Sequence, residues 1–245
     1  MSLAEVSLGA AAALLATSAG SIALFAFRKV GRTAYSAMLA SCAGVMAYSA
    51  MEMLGQSHAT AGDAAVVAGL ALGMLALFAA DRLLPHAHAK IRGREIAVSK
   101  KKAALIAGAV TLHNVPEGLA IASAFAGSAP LGWLVALSIA LQDIPEGFMI
   151  SAPLAFYGVA KGRSVWFGIL SGIVEAAAAI AGYLFLSMVS GAVPGALAFS
   201  AGAMAYVIFA ELLPDAFGDR MEGVAALSFA GGAALAFGIA SLLGF

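Results

Sequence analysis

Apolar runs of at least 18 residues fill nearly the whole of this chain, and they leave few folds open to it. Eight can be drawn, at roughly 4–27, 33–55, 62–84, 100–126, 131–158, 163–189, 192–217 and 221–245. Runs of that length read as membrane-spanning helices. Inside a bilayer every backbone polar group must be satisfied within the protein, so helices are the economical solution. The expected fold is therefore all-α: a single polytopic membrane domain of eight helices covering 1–245. The connecting segments are too short to hold a soluble domain. With 62% hydrophobic and 11% charged residues, the chain has too little polar surface for a water-soluble fold.

The basic residues orient the bundle. All 13 Lys and Arg lie on one side of an eight-span arrangement. Arg28, Lys29 and Arg32 follow span one. Arg82, Lys90, Arg92, Arg94 and Lys100 to Lys102 lie between spans three and four. Lys161 and Arg163 follow span five, and Arg220 follows span seven. The positive-inside rule places these loops in the cytoplasm and both termini outside. No basic region precedes the first span, so it does not read as a cleaved leader. The formal net charge of +0 gives nucleic-acid binding no electrostatic basis. The single cysteine, Cys42, excludes a disulfide framework and a thiolate cluster and reads as a small packing residue. Ser18-Ala19-Gly20-Ser21, Gly69 with Gly73, and Gly231-Gly232 are candidate close helix crossings.

Against this apolar background stand two near-copies of one motif. His113-Asn114-Val115-Pro116-Glu117-Gly118 lies in span four, and Gln142-Asp143-Ile144-Pro145-Glu146-Gly147 in span five. Glu117, Asp143, Glu146 and, in span six, Glu175 all fall near the bilayer midplane, where no Lys or Arg accompanies them. One central Asp costs about 3 kcal/mol on insertion scales, so four uncompensated carboxylates would cost about 10 kcal/mol. They require protonation, water or a bound cation, and a divalent metal with some protonation is the simplest answer. Pro116 and Pro145 remove backbone donors, so each frees the carbonyl one turn earlier, at Leu112 and Leu141.

The spacing organises the donors. Residues three and four apart share a helix face. One site would take His113, Glu117, Gln142 and Glu146; a second would take Asn114, Glu117, Asp143 and Glu146, with each Glu serving both. Bridging carboxylates with metals about 4 Å apart are ordinary two-metal geometry. One imidazole among oxygens suits Zn²⁺, and also Cd²⁺, Fe²⁺ or Mn²⁺. Without a thiolate the metal can be released, as transport requires. Glu175, with Ser171 one turn away, reads as a further ligand, a proton acceptor, or a protonated helix-to-helix contact.

These two motifs resemble those of the ZIP (Zrt/Irt-like protein) family of divalent metal transporters, particularly its compact prokaryotic members. HNVPEG is similar to the family's fourth-helix motif. QDIPEG is similar to the fifth-helix motif in the form with Gln in place of the leading His. The resemblance implies a binuclear centre, with Glu175 joining the second site. It also implies a homodimer in the bacterial inner membrane, and an elevator in which spans one, four, five and six move against two, three, seven and eight. The chain departs from many relatives in its short segment between spans three and four, where Asp81, His86 and His88 stand as candidate receivers of released metal. In span seven, Ala210 precedes Glu211 where relatives often carry a His; Glu211 and Asp215 remain candidate exit residues. Glu52, His58 and Asp63 would gather at the outer ends of spans two and three, as an entrance or as ordinary loop polar groups. An intramembrane metalloprotease would require the HExxH arrangement, and a metal sensor would require a soluble output domain; the sequence has neither.

Overall fold

The structure is a computed structural model, and it describes residues 2–26, 31–83, 100–156, 158–218 and 221–244. Among these residues it is helical throughout, with no strand. Helix α1 runs Leu3–Ile22 and is opened by a capping box: the Ser2 side chain accepts from the Glu5 amide while Glu5 accepts from the Ser2 amide. The path continues through α2 (Arg32–Leu83), α3 (Lys100–Gly127), α4 (Ala129–Phe156), α5 (Lys161–Met188) and α6 (Val193–Val207). It then passes a π-helical segment, Ile208–Leu212, a short α7 (Leu213–Ala216) and α8 (Glu222–Leu243).

Among the described residues, six helical stretches are long and apolar enough to cross a bilayer: Leu3–Phe25, Arg32–Ala80, Ala129–Ala152, Lys161–Met188, Ser190–Ala216 and Glu222–Leu243. Large apolar side chains such as Leu15, Leu227, Phe237 and Trp166 point outward and are more than half exposed. That surface would drive aggregation in water and suits lipid. Spans two and three of the sequence reading fall within one helical path, α2. Its 52 residues would reach about 78 Å if straight, against a hydrocarbon core of about 30 Å. The path breaks at Gly62, whose φ of 76° and ψ of −178° lie outside helical space and suit a residue without a Cβ. The helices continue through both motif prolines, as the spans were drawn: α3 through Pro116, and α4 through Pro145.

Contacts divide the helices into two groups. Helices α1, α3, α4 and α5 pack on one another, and α2 packs mainly on α6 and α8. The seam between the groups is formed chiefly by α3 on α6 and by α4 on α2 and α8. Small residues allow the closest crossings. Gly44 lies against the Phe229 carbonyl and Gly232 against that of Ser41, joining α2 to α8; Gly73 and Gly202 join α2 to α6 in the same way. Of the expected crossing residues, Gly20, Gly69, Gly73 and Gly232 meet a neighbouring helix, whereas Gly231 faces open space.

The largest hydrophobic cluster among the described residues runs across both groups, with Met46, Met53, Leu197 and Met204 on the α2–α6 side. Ile121 and Phe125 on α3 meet Leu131, Leu134 and Ile139 on α4, Val6 and Ala13 on α1, and Tyr183 on α5. On α3, α4 and α5 these residues lie to the same side of the acidic positions, toward the α3–α4 junction. Phe125 is fully buried and stands edge-to-face with Trp133 at 5.4 Å. Phe125→Ala is expected to cost about 3–5 kcal/mol, read as a lowered melting temperature in detergent; an unchanged melt would mean that this cluster does not hold the helices together.

Candidate metal centre

Both motifs reach the centre of the protein on the faces that the sequence spacing implies. Asn114 and Glu117 come from α3, Gln142, Asp143 and Glu146 from α4, and Glu175 from α5. Asn114, Asp143 and Glu175 are fully buried, Glu117 and Gln142 nearly so, and Glu146 is half-buried. Glu117, Asp143 and Glu146 each offer a carboxylate oxygen, and these atoms lie within 4.8 Å of one another. The Gln142 Nε2 donates to Glu117 Oε1 at 2.7 Å, which leaves the Gln142 amide oxygen turned away as an acceptor. Glu175 lies against Asp143 and Asn114. His113 falls on α3, but its side chain lies outside the described residues.

The acceptor side of this cluster is far from satisfied. Glu117 Oε2, Gln142 Oε1, both Asp143 oxygens and both Glu175 oxygens are buried without a hydrogen-bond donor. Each such atom costs about 1–3 kcal/mol, and more when it carries charge. Buried acceptors of this kind beside three clustered carboxylates, at a depth where the sequence places no Lys or Arg, are an arrangement that a divalent cation completes. The donor set, carboxylate and amide oxygens, fits Zn²⁺ or another divalent ion of similar preference.

The last residue of each motif explains why the acids converge. A Cβ on Gly118 would overlap the Glu175 carbonyl, so the glycine lets α5 approach α3. A Cβ on Gly147 would overlap the Thr17 carbonyl, and one on Gly20 the Ile144 carbonyl, so α1 and α4 meet backbone to backbone. Ser21 reinforces that crossing: its Oγ lies 2.9 Å from the Thr17 carbonyl and 3.0 Å from that of Gly147. Across the seam, the buried Cys42 thiol of α2 reaches the Gln142 carbonyl at 3.6 Å. Cys42 and Gln142 also line a crevice of about 340 Å³ between α2, α4 and α8. A second apolar crevice, of about 540 Å³, lies where α3 and α5 face α2 and α6, along Leu119, Phe185, Gly69 and Phe199.

Thr17, Ser21 and the contact between Cys42 and Gln142 were not legible as site features. Small polar residues are ordinary in membrane helices, and their partners lie more than 90 residues away along the chain. The remaining candidates stand apart from the cluster. Glu211 is half-buried in the π-helical segment, a helix form often found at functional positions, and Asp215 is exposed on α7. The Asp81 side chain, His86 and His88 lie outside the described residues. At the opposite end, His58 Nδ1 and Asp63 Oδ1 pair at 3.1 Å across the Gly62 break, both largely exposed, and Glu52 sits beside Tyr48.

Comparison with known proteins adds a separate line of information. A profile of the family described as ZIP zinc transporter matches residues 85–245. The zinc transporter GufA of Myxococcus xanthus is 40% identical over 182 residues, 73% of this chain and 71% of that protein. The zinc transporter ZupT of Salmonella newport (strain SL254) is 37% identical over 150 residues, 58% of each chain. Human zinc transporter ZIP11 is 42% identical over 125 residues, which span 48% of this chain and 36% of that protein. These relatives are transporters rather than enzymes.

Proposed function

We propose that this chain, which belongs to the ZIP zinc transporter family, carries Zn²⁺ into the cytoplasm through a binuclear site at the bilayer midplane. Cd²⁺, Fe²⁺ and Mn²⁺ are further candidates on donor chemistry alone. The observation that carries this reading is the convergence of Glu117, Asp143 and Glu146 within 4.8 Å, together with buried oxygens that have no donor. Such a site holds a cation by charge and releases it when one wall moves. His113, Glu117, Gln142 and Glu146 form the first half of the proposed site; Asn114, Glu117, Asp143, Glu146 and Glu175 form the second.

In this reading the chain spans the inner membrane of a bacterium eight times, with α2 crossing twice about Gly62 and both termini outside. It works as a homodimer. The group α1, α3, α4 and α5 carries the metal past the group α2, α6, α7 and α8. Two features support such a shift: the division of contacts into two groups and the apolar crevices along their seam. The hydrophobic cluster around Phe125 would seal the outer side of the site in the conformation seen here, so loading from outside requires that end to open. Released metal would leave past Asp81, His86, His88 and Glu211.

Zinc flux into proteoliposomes and zinc bound per chain test the reading together. Saturable flux and two bound ions are expected for the wild type. His113→Ala should weaken the first half and Asp143→Asn the second, each leaving about one ion bound. Flux and stoichiometry that neither substitution alters would overturn the assignment.

A further inference from the structure

The break in α2 at Gly62 brings together two side chains that an unbroken helix would keep apart. On a regular helix, residues five positions apart project about 140° from one another and lie about 7.5 Å apart along the axis. Yet His58 Nδ1 and Asp63 Oδ1 stand 3.1 Å apart. A Cβ at Gly62 would meet nothing within 4 Å, so the backbone conformation, not crowding, calls for the glycine. The turn before the break is firmly held. The buried Ser57 hydroxyl donates to the Pro194 carbonyl of α6 at 2.8 Å. The Thr60 hydroxyl lies 2.9 Å from the Gln56 carbonyl and 3.1 Å from that of Ser57. The side chains of His58 and Asp63 themselves remain 61% and 90% exposed.

An ion pair this exposed adds little to stability. Its geometry suits another task. Two ligands about 2.1 Å from one zinc ion, at angles of about 95° to 110°, lie about 3.1 to 3.4 Å apart. The imidazole nitrogen and the carboxylate oxygen therefore already hold the separation of neighbouring ligands on one ion, and both are ordinary zinc donors. We propose that His58 and Asp63 form a divalent-metal site of their own, at the end of the bundle opposite the ends of α2 that carry Arg32 and Arg82. Two protein ligands, with water in the remaining positions, hold an ion loosely. Such a site captures zinc and hands it on rather than storing it. The binding is read from the local geometry; only its role in capture rests on the proposed topology and transport. The Gly62 break thereby has a chemical purpose as well as a topological one.

The test uses the full-length chain in detergent with Zn²⁺ alone, as the wild type and as Glu117→Gln. Diethyl pyrocarbonate acylates exposed imidazole, and modified His58 is quantified by peptide mass spectrometry. Zinc at about ten times the dissociation constant of the site should slow that modification about tenfold in both chains. Asp63→Asn removes one ligand and keeps the shape, so protection should then require at least about tenfold more zinc. In proteoliposomes, His58→Asn should raise the zinc concentration for half-maximal flux severalfold and leave the maximal rate unchanged, a split that a merely structural role would not give. Zinc that fails to protect His58, or that protects it equally in Asp63→Asn, would leave an ion pair only and overturn the inference. Half-maximal flux at the wild-type zinc concentration in His58→Asn would overturn its role in capture. If these results arise while the wild type carries zinc and Glu117→Gln does not, the buried centre stands and only the His58–Asp63 site falls. Protection of His58 in a chain that carries no zinc would uphold this site and remove the transport reading.

Discussion

Glu117→Gln is expected to abolish zinc flux, with a loss of more than about 100-fold. Groups that merely orient metal ligands already account for about 10- to 100-fold. Glu117 contributes to the carboxylate cluster and accepts the Gln142 amide, so in the proposed arrangement it serves both metals at once. The substitution keeps the side-chain volume and replaces a bridging anion by a neutral amide. Fold and function should therefore separate. Without metal the variant should melt no lower than the wild type, because one uncompensated buried acid has gone. With zinc at about 100 times its dissociation constant the wild type should gain about 2.7 kcal/mol, while the variant gains little. Thermal unfolding with and without zinc, beside proteoliposome flux, checks both halves. Wild-type flux in Glu117→Gln would remove the bridging role.

The second large effect is expected from a single methyl group. In Gly147→Ala the new Cβ would overlap the Thr17 carbonyl, a backbone atom that cannot swing aside. Helix α1 must then retreat from α4, and the Ser21 contact to the Gly147 carbonyl lengthens with it. Overpacking of this kind costs about 1–3 kcal/mol. The functional cost should be larger, because a displacement of about 1 Å can lower a geometry-dependent rate about 100-fold. Gly118→Ala should act similarly through the Glu175 carbonyl, pushing away the helix that carries the sixth-span acid. Gly231→Ala, which meets nothing within 4 Å, is the control and should transport normally. Equal flux in Gly147→Ala and Gly231→Ala would show that the crossing does not set the site geometry.

Much of the site was readable before any fold was known, because the information is local. Helical periodicity alone puts Asn114 with Glu117 and Asp143 with Glu146 on shared faces, and the structure brings Glu117, Asp143 and Glu146 together. The absence of basic residues at the depth of the acids is equally a property of the sequence, and it makes a cation the natural partner of the acids. Spans four and five were drawn through Pro116 and Pro145, and α3 and α4 do continue through them, since neighbouring helices can hold a proline-containing helix in register. Spans two and three were read as separate stretches, and the structure shows two helices that meet across a kink at Gly62.

The amino-acid sequence by itself determined the helical membrane class, the positions of the acids along each helix and the chemistry of their donors. These follow from composition and from a 3.6-residue period that acts within a few turns. Only the tertiary structure decided which helix each motif glycine faces and that Glu175 lies against Asp143. Those pairings depend on contacts between residues more than 30 positions apart, brought together by small side chains that carry no hydrophobic pattern. In a bilayer such contacts are selected by how closely two backbones fit, and that fit exists only once the helices have assembled.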